Sequence, residues 1–262
     1  DQPRSRGLGD VYKRQLHIAL KQLLLYNNKQ ELKISIVNGG TGQMLKAVIF
    51  DMDGLMLDTE RLLQRFWCEA AEFYGYPMTP DIVLGIRSLS SRYSERYLKK
   101  CLGEDFDYSK VRAKRIELMN EYIQSCGAEK KPGLDVLLDY LQASPLRTAV
   151  CTATDFERTE MYLRRVGVFD KFDEFICGNM VERGKPAPDI YEYSCRRLGL
   201  EPCECATLED SPNGVISAAV AGLKTIMVPD LTQPSDDIKP LLFGCCESLD
   251  KVIELLEAEI KK

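Results

Sequence analysis

Histidine is nearly absent from this sequence, which has only His17 among its 262 residues. Ten cysteines are present, but no C-x-x-C pair repeats at the spacing of zinc ligands. Because His17 lies outside the region that we expect to fold, these residues cannot form a zinc site of histidines and cysteines. We expect the thiols to be reduced and mostly buried, as in a cytoplasmic protein, rather than paired in a disulfide framework.

Long apolar runs and basic patches are also lacking. The apolar runs at residues 47–50 and 225–228 are far too short to cross a bilayer. The formal net charge is -5 and no basic stretch is interleaved with aromatic residues, so a nucleic-acid partner is not expected. With 45% hydrophobic and 29% charged residues, the composition is typical of a globular protein. We expect a cytoplasmic monomer or weak homo-oligomer that binds no membrane.

Residues 1–43 differ in composition from the rest of the chain. They begin with a basic stretch that is poor in acidic residues, continue through a short apolar piece and end in polar and glycine-rich sequence. A transit peptide has such a composition, but Lys21 and Gln22 interrupt the apolar piece and no small-residue cleavage site follows. We favour an upstream or cloning-derived extension, and we expect the fold to begin at Met44.

Short apolar runs alternate with helical periodicity from Met44 onward. The runs predict strands at residues 45–50, 148–151, 174–177, 206–208 and 225–228. Between the first two strands, the periodicity predicts helices at residues 59–74, 79–84, 90–102 and 108–126. Repeated strand–helix units imply an α/β fold with a doubly wound parallel sheet. We predict that residues 44–61 and 130–262 form this core and that residues 62–129 form an inserted helical subdomain.

Four carboxylates follow two of the predicted strands. Asp51 and Asp53 come after the first strand, and Glu209 and Asp210 come after the fourth. In an open parallel sheet these strand ends meet where ligands bind, and four like charges in a cleft need a cation. A ligand set made only of oxygen atoms favours Mg²⁺. A calcium loop is excluded, because Gly54 is the fourth residue of the motif and not the sixth.

Candidate phosphate ligands lie after the second strand and in a later loop. Thr152 and Ala153 follow the strand, and residues 154–157 (TDFE) have the spacing of a capping box with Thr154 as N-cap. Backbone N–H groups at such a helix start bind anions. Lys185, in a loop before another helix, supplies a compact positive charge. Each residue alone is more often structural, but together with the carboxylates they favour phosphoryl transfer.

Four motifs resemble those of one protein family. They are VIFDMDGLMLDTE at residues 48–60, VCTAT at 150–154, GKPAPDIY at 184–191 and LEDSPNG at 208–214. From residue 44 to about residue 229, the chain resembles the haloacid dehalogenase (HAD) superfamily, in particular its β-phosphoglucomutase-like phosphatase branch. The resemblance implies a Rossmann-like core with an inserted α-helical cap. The enzyme class that it implies is a phosphoric monoester hydrolase.

The resemblance also implies a role for each motif residue. Asp51 is expected to be the nucleophile that forms an aspartyl-phosphate, and Asp53 to be the general acid and base. Asp51, the backbone carbonyl of Asp53 and Asp210 are expected to hold Mg²⁺, with Glu209 in support. The transferring phosphoryl group is expected to be held by Thr152, Ala153 and Lys185.

Two further positions bear on the reaction type. An aspartate two residues after the nucleophile, here Asp53, resembles the phosphatases and mutases of the superfamily. The sugar phosphomutases place a histidine twelve residues after the nucleophile, where this chain has Leu63. We therefore expect hydrolysis of a small phosphorylated metabolite, for example a sugar phosphate. A phosphomutase of the β-phosphoglucomutase type and a non-catalytic binding domain are the alternatives.

Substrate specificity is expected to depend on the cap. Its closing loop is placed at residues 85–92. The candidates for contact with a polar or anionic distal group are Arg87, Ser88 and Arg92. Solvation of these two arginines at the surface is the alternative interpretation. Asp58 and Glu60, at the hinge into the cap, are further candidates to face the cleft.

Overall fold

The computed structural model of the protein describes residues 44–260. The predictions for residues 1–43, which include His17, lie outside this region. The strands of the described region are β1 (Ala47–Phe50), β2 (Arg147–Thr152), β3 (Glu174–Cys177), β4 (Cys205–Glu209), β5 (Lys224–Met227) and β6 (Gly244–Cys245). They form one parallel sheet in the order β3-β2-β1-β4-β5-β6.

The central strand β1 is buried on both faces, as expected for a parallel sheet that is covered by helices. Val48 and Phe50 pack into the larger hydrophobic cluster on one face, and Ala47 and Ile49 pack into a second cluster on the other. After β3 the chain returns to the opposite side of β1, so the strand order reverses between β1 and β4. Such a topological switch point is where open α/β sheets bind ligands.

Five helices lie between β1 and β2 in the chain, and the first four of them are α1 (Glu60–Phe73), α2 (Pro80–Leu84), α3 (Ser91–Leu102) and α4 (Tyr108–Cys126). Asp107 is the N-cap of helix α4, and its Oδ1 accepts a hydrogen bond from Lys110 N at 3.0 Å. The four helices share a hydrophobic cluster whose members include Trp67, Leu98, Phe106 and Val111. This separate cluster supports an inserted helical subdomain, although the bounds of residues 62–129 remain a prediction.

The remaining helices flank the sheet. They are α5 (Leu134–Gln142), α6 (Phe156–Arg165), α7 (Asp189–Leu198), α8 (Pro212–Ala221) and α9 (Val252–Ile260). Helix α8 begins as its sequence indicates, because Ser211 Oγ accepts a hydrogen bond from Gly214 N at 3.1 Å and Pro212 is the first helical residue. The predicted fold class, a Rossmann-like α/β core with a doubly wound parallel sheet, is confirmed.

Two local features differ from the prediction. Strand β6 was not predicted, because a strand of two residues has no hydrophobic periodicity. The predicted capping box at residues 154–157 is wrong: Asp155 is the N-cap of α6, and its Oδ1 accepts a hydrogen bond from Arg158 N at 3.1 Å. The hydroxyl of Thr154 instead donates to Asp53 Oδ2 at 2.8 Å. A partner so distant in sequence is not visible in a four-residue motif.

Two expectations from composition can be compared with the structure. All ten cysteines lie in the described region, and none of them is in a disulfide. Four of them are buried, namely Cys151, Cys177, Cys195 and Cys205, and three are exposed. Fewer of the cysteines are therefore buried than we expected. Within residues 44–260, none of the helices has the length and apolar character that crossing a bilayer requires.

Candidate active site

The carboxyl ends of β1, β2 and β4 lie side by side. The last residue of β1 pairs with Val150 of β2 and with Leu208 of β4. Asp51, which follows β1, therefore lies next to Thr152 and Glu209, which end the neighbouring strands. All three side chains are buried. The parallel sheet thus brings together residues that are far apart in sequence.

Lys185 lies at the same edge of the sheet and is fully buried. Its Nζ donates to Asp51 Oδ1 at 2.5 Å, to Glu209 Oε1 at 2.6 Å and to the Cys151 carbonyl at 3.1 Å. Tyr191 Oη also donates to Glu209 Oε1. Burial opposes the charged form of Lys185, but the carboxylates of Asp51 and Glu209 outweigh it and raise the pKa well above its usual value. Lys185 is therefore a buried cation and not a solvated loop residue.

Asp51, Glu209 and Asp210 form an acidic cluster. One carboxylate oxygen from each lies within 4.8 Å of the others. Asp51 Oδ2, Glu209 Oε2 and Asp210 Oδ1 are buried and accept no hydrogen bond from any residue in the described region. A buried acceptor without a donor is costly, and hard divalent cations bind such oxygens. The residues of the acidic cluster therefore fit a divalent cation.

Burial dominates the electrostatics of the acidic cluster. It raises the pKa of Asp51 well above the usual value, while Lys185 opposes the shift and Glu209 adds to it. Burial also raises the pKa of Asp210 to about 7, although the nearby Arg87 partly offsets this effect. Full ionisation of the cluster at neutral pH therefore requires more positive charge than Lys185 and Arg87 supply.

Asp53 is held apart from the acidic cluster. Its Oδ1 accepts a hydrogen bond from Thr59 Oγ1, and its Oδ2 accepts one from Thr154 Oγ1, both at 2.8 Å. Thr59 directly precedes α1 and Thr154 follows β2, so the two hydrogen bonds hold Asp53 from two separate loops of the core. Asp53 and Asp51 line the same cavity, where a carboxyl group can exchange a proton with a ligand.

The cavity between the sheet edge and the inserted helices has a volume of about 90 Å³. On the sheet side it is lined by Asp51, Asp53, Thr152, Ala153 and Thr154. Thr152 Oγ1 accepts a hydrogen bond from Thr154 N at 3.1 Å. Because the oxygen is the acceptor in that bond, the Thr152 hydroxyl can still donate its own hydrogen to an anion in the cavity.

The loop between α2 and α3 contacts the sheet edge directly. Arg87 Nη2 donates to Asp210 Oδ2 at 2.9 Å and to the Asp210 carbonyl at 2.7 Å. Asn213 Nδ2 donates to the Arg87 carbonyl at 2.9 Å, and Ser90 N donates to the Lys185 carbonyl at 3.0 Å. The inserted helices therefore close over the site. Arg87, expected to contact a distal group of the substrate, pairs with the acidic cluster.

The other candidates for substrate contact lie in different surroundings. Ser88 and Glu60 line the cavity, and burial raises the pKa of Glu60 well above its usual value. Asp58 is partly exposed, and its Oδ1 lies 3.5 Å from Lys131 Nζ. Arg92 is exposed in the first turn of α3 and is not part of the cavity lining. The structure thus brings Ser88 and Glu60 to the site, and it does not bring Arg92.

Sequence comparison assigns the family. A family model described as haloacid dehalogenase-like hydrolase matches residues 45–222. The chain belongs to this family. The phosphorylated carbohydrates phosphatase of Thermotoga maritima is 32% identical to this hydrolase over 212 residues, which are 81% of the chain and 97% of that protein. The Drosophila melanogaster protein named "Probable pseudouridine-5'-phosphatase" is 34% identical over 193 residues, which are 70% of the chain and 80% of that protein.

Solved structures agree with this assignment. CbbY from Rhodobacter sphaeroides, in a crystal structure with phosphate, matches the hydrolase with a TM-score of 0.69 and 25% sequence identity, and the match covers 80% of this chain and 96% of that chain. Together with the named phosphatases, this match confirms the HAD superfamily and the predicted enzyme class, a phosphoric monoester hydrolase. The roles of the individual residues remain predictions.

Three arginines of the cavity lining were not predicted. They are Arg112 and Arg115 of α4 and Arg158 of α6. One signal was present in the sequence, because Tyr108, Arg112 and Arg115 follow one another at helical spacing and share a face of α4. Which face of α4 meets the cavity depends on how this helix packs against α1, and the periodicity alone does not determine that packing.

Proposed function

We propose that this hydrolase is a Mg²⁺-dependent phosphatase that acts on a small phosphorylated metabolite through an aspartyl-phosphate at Asp51. The observation that carries the proposal is the surroundings of Asp51. Its carboxylate lines the cavity, pairs with the buried ammonium of Lys185 and belongs to the acidic cluster. The ammonium offsets one negative charge, which allows an anionic phosphate to approach a nucleophilic carboxylate.

The proposed reaction has two steps. In the first, an Asp51 carboxylate oxygen bonds to phosphorus, the ester P–O bond breaks, and the leaving oxygen takes a proton from the Asp53 carboxyl group. In the second, Asp53 takes a proton from water, the water oxygen bonds to phosphorus, and the bond between phosphorus and Asp51 breaks. Inorganic phosphate leaves, and the second step restores Asp51 as a carboxylate and Asp53 as a carboxylic acid.

The phosphoryl group is held, in this proposal, by donors around Asp51. The Thr152 hydroxyl and the backbone N–H of Ala153 donate hydrogen bonds to phosphoryl oxygens, because both residues line the cavity beside Asp51. Lys185 holds Asp51 in place through its 2.5 Å contact with Oδ1. The loop of the inserted segment contacts the sheet edge through Arg87 and Ser90, and electrostatic interactions in such an enclosed site are stronger than in bulk water.

The acidic cluster is the proposed metal site. Asp51, Asp210 and the backbone carbonyl of Asp53 would hold Mg²⁺, with Glu209 beside them. The buried oxygens of the cluster that lack donors support this assignment. When bound, the ion supplies positive charge to the carboxylates and to the phosphate oxygens of the substrate.

We infer that the substrate is a small phosphorylated metabolite such as a sugar phosphate. Support comes from the relatives, one named for phosphorylated carbohydrates and the other for pseudouridine-5'-phosphate. Leu63 lines the cavity at the position where the resemblance expects the histidine of sugar phosphomutases. Because an alkyl side chain cannot take up or release a proton, this position favours hydrolysis over the phosphomutase alternative.

The proposal is tested by phosphate release from a panel of phosphorylated sugars and nucleosides, measured with and without Mg²⁺. We expect magnesium-dependent release from at least one compound. Asp51→Asn should lower this activity by roughly 1,000-fold or more, because the amide is not a nucleophile. The matched control is Asp236→Asn, which changes a side chain that is 97% exposed and should leave the rate unchanged.

Two results would contradict the proposal. One is phosphate release by Asp51→Asn at the rate of the unchanged protein, which would exclude Asp51 as the nucleophile. The other is isomerisation of a sugar phosphate with a bisphosphate activator and without phosphate release, which would identify the phosphomutase alternative.

A further inference from the structure

One wall of the cavity is unusually basic for an enclosed space. Arg112 and Arg115 of α4 line it from the inserted helices, and Arg158 of α6 lines it from the core. Arg115 and Arg158 are each only 7% exposed. Buried arginines are normally paired with carboxylates, because an uncompensated buried charge is costly.

Arg158 has such a partner. Its Nε lies 2.8 Å from Asp155 Oδ2, and its Nη2 lies 2.6 Å from the same oxygen. Asp155 is also the N-cap of α6, so this pair is fixed at the start of the helix. One negative charge therefore balances one of the three arginines.

Arg115 has no comparable partner. Its guanidinium lies 5.1 Å from the centre of the Trp67 ring, a contact that orients the group but does not use its N–H donors. Its Nε is buried and donates no hydrogen bond within residues 44–260, where neither Arg115 nor Arg112 forms an ion pair. Burial, together with the charges of Arg158 and Arg112, lowers the pKa of Arg115 to about 10, so the group stays charged at neutral pH.

The carboxylates of the cavity do not balance this charge. Asp51 pairs with Lys185, and Arg87 is the cation that acts on Glu60, the third carboxylate of the lining. Asp53 accepts hydrogen bonds from two neutral hydroxyls and offsets part of the charge of Arg158, but no carboxylate acts appreciably on Arg115. The basic wall therefore has an excess of positive charge in a space that a ligand can enter. A buried guanidinium with unused donors, aimed into such a space, is suited to an anion.

We propose that Arg112, Arg115 and Arg158 bind a second anionic group of the substrate, so that the preferred substrates are phosphate monoesters that also carry a carboxylate or a second phosphate. This inference rests on the proposed phosphatase function. The reacting phosphate lies at Asp51, and the second anion lies at the basic wall. A planar guanidinium binds carboxylates and phosphates in the same two-pronged geometry, so both groups belong to this class.

The test compares substrates that differ only at the distal end. One arm pairs glucitol 6-phosphate with 6-phosphogluconate, which has a carboxylate in place of the terminal hydroxymethyl group. The other pairs fructose 6-phosphate with fructose 1,6-bisphosphate, which adds a phosphate. The unchanged hydrolase is expected to have a higher kcat/KM for the anionic member of at least one pair, and that pair identifies the anion that the wall accepts.

Variants of the basic wall separate binding from catalysis. Arg115→Met should raise KM for the preferred substrate with a second anionic group by roughly 10- to 100-fold, with kcat nearly unchanged, because a charge-assisted hydrogen bond is lost. KM for the member with an uncharged distal end should change by less than about 3-fold, since that end makes no such bond. Arg115→Lys should raise KM less than Arg115→Met does, because lysine keeps the positive charge but lacks the planar guanidinium that binds an anion with two N–H groups.

Arg112→Gln covers the case in which Arg115→Met does not fold. Arg112 is only half-buried, so its replacement should leave the fold intact. It should weaken binding of the same substrates, but less than Arg115→Met does. The proposal would be overturned if the variants lowered kcat/KM equally for both members of a pair. It would also be overturned if the unchanged hydrolase preferred the members whose distal end is uncharged.

A binding measurement distinguishes failure of this inference from failure of the proposed function. Calorimetric titration of 6-phosphogluconate and fructose 1,6-bisphosphate into Asp51→Asn, with and without Arg115→Met, measures how much the basic wall contributes to binding. The Asp51→Asn change prevents turnover during the titration. We expect the affinity for the preferred one of these two compounds to fall by roughly 10-fold or more when Arg115 is replaced. Unchanged affinity, or no binding of either compound, would overturn the basic wall as an anion site. The phosphatase function is tested separately, by phosphate release.

Discussion

At the scale of single residues, charge balance explains how the site is built. Lys185 supplies a positive charge between Asp51 and Glu209, and Arg87 supplies another beside Asp210. All five side chains are buried. In such surroundings the removal of one partner costs more than the pair contributes, because the remaining charge stays buried without compensation.

Replacement of Lys185 should therefore destabilise the protein. Lys185→Met leaves Asp51 and Glu209 without their shared cation, and we expect the free energy of unfolding to fall by about 3–5 kcal/mol. Urea denaturation measures this change. The matched control is Lys46→Met, which breaks the surface ion pair between Lys46 and Glu204 and should have only a small effect. Equal effects of the two variants would show that the buried charges do not depend on Lys185.

The predictability of a site residue depended on where its contacts lie. Asp51, Thr152 and Asp210 were found from the sequence because each lies at the end of a strand or directly after it, and a parallel sheet brings strand ends together. Thr154 bonds to Asp53 across 101 positions, and Arg87 bonds to Asp210 across 123. The first contact depends on the shapes of the loops after β1 and β2, and the second on how the inserted helices pack on the core. No local sequence pattern encodes either arrangement.

At the scale of elements, β4 and α8 approach so closely that only glycine fits between them. A Cβ at Gly214 would lie 2.0 Å from Glu209 Cδ. Glu209 ends β4 and Gly214 lies in the first turn of α8, so this contact joins the strand to the helix. The glycine allows Glu209 to keep the position in which it accepts a hydrogen bond from Lys185.

Gly214→Ala should accordingly impair both stability and activity. Overpacking at this position is expected to cost about 1–3 kcal/mol, and displacement of Glu209 should lower phosphate release. The control is Gly222→Ala at the end of α8, where the nearest atom, Pro202 Cβ, lies 3.5 Å from the added Cβ and φ is +90°. Backbone strain there should cost about 1–2 kcal/mol but leave the specific activity unchanged. Full activity of Gly214→Ala would contradict this account of the contact.

Elements were predictable where the pattern was long or well bounded. Strands β1 to β5 were expected from apolar runs, and the inserted helices from periodicity over many residues. Strand β6 was missed because Gly244 and Cys245 form a strand only by pairing with β5. The start of α6 was misplaced by one residue, because Asp155 is an equally good N-cap and Thr154 has another partner.

At the scale of the whole molecule, the inserted helices and the core meet at the acidic cluster. Arg87 from the inserted segment bonds to Asp210 of the core. A second contact lies at the hinge, where Lys131 Nζ is 2.7 Å from Asp230 Oδ1 and 3.5 Å from Asp58 Oδ1. Because Asp210 is shared by Arg87 and the proposed metal site, metal binding and the closed arrangement are expected to influence each other.

Mg²⁺ should stabilise the folded protein if the acidic cluster binds it. The expected gain is about 2.7 kcal/mol when the free ion is at 100 times its dissociation constant. Thermal unfolding with Mg²⁺ and with a chelator measures the shift in Tm. Asp210→Asn should abolish most of the shift, whereas Asp236→Asn, at an exposed position, should retain it. An identical shift in Asp210→Asn would place the ion elsewhere.

The central claim is that Asp51 carries the phosphoryl group during turnover, and trapping that group tests it most directly. Asp53→Asn removes the proposed acid and base, but p-nitrophenyl phosphate has a leaving group that needs no proton, so the first step proceeds and the second is slow. Acid quenching followed by mass spectrometry of the peptides should then find one phosphoryl group on Asp51. Phosphate release without a labelled peptide, or a label on a different residue, would contradict the account.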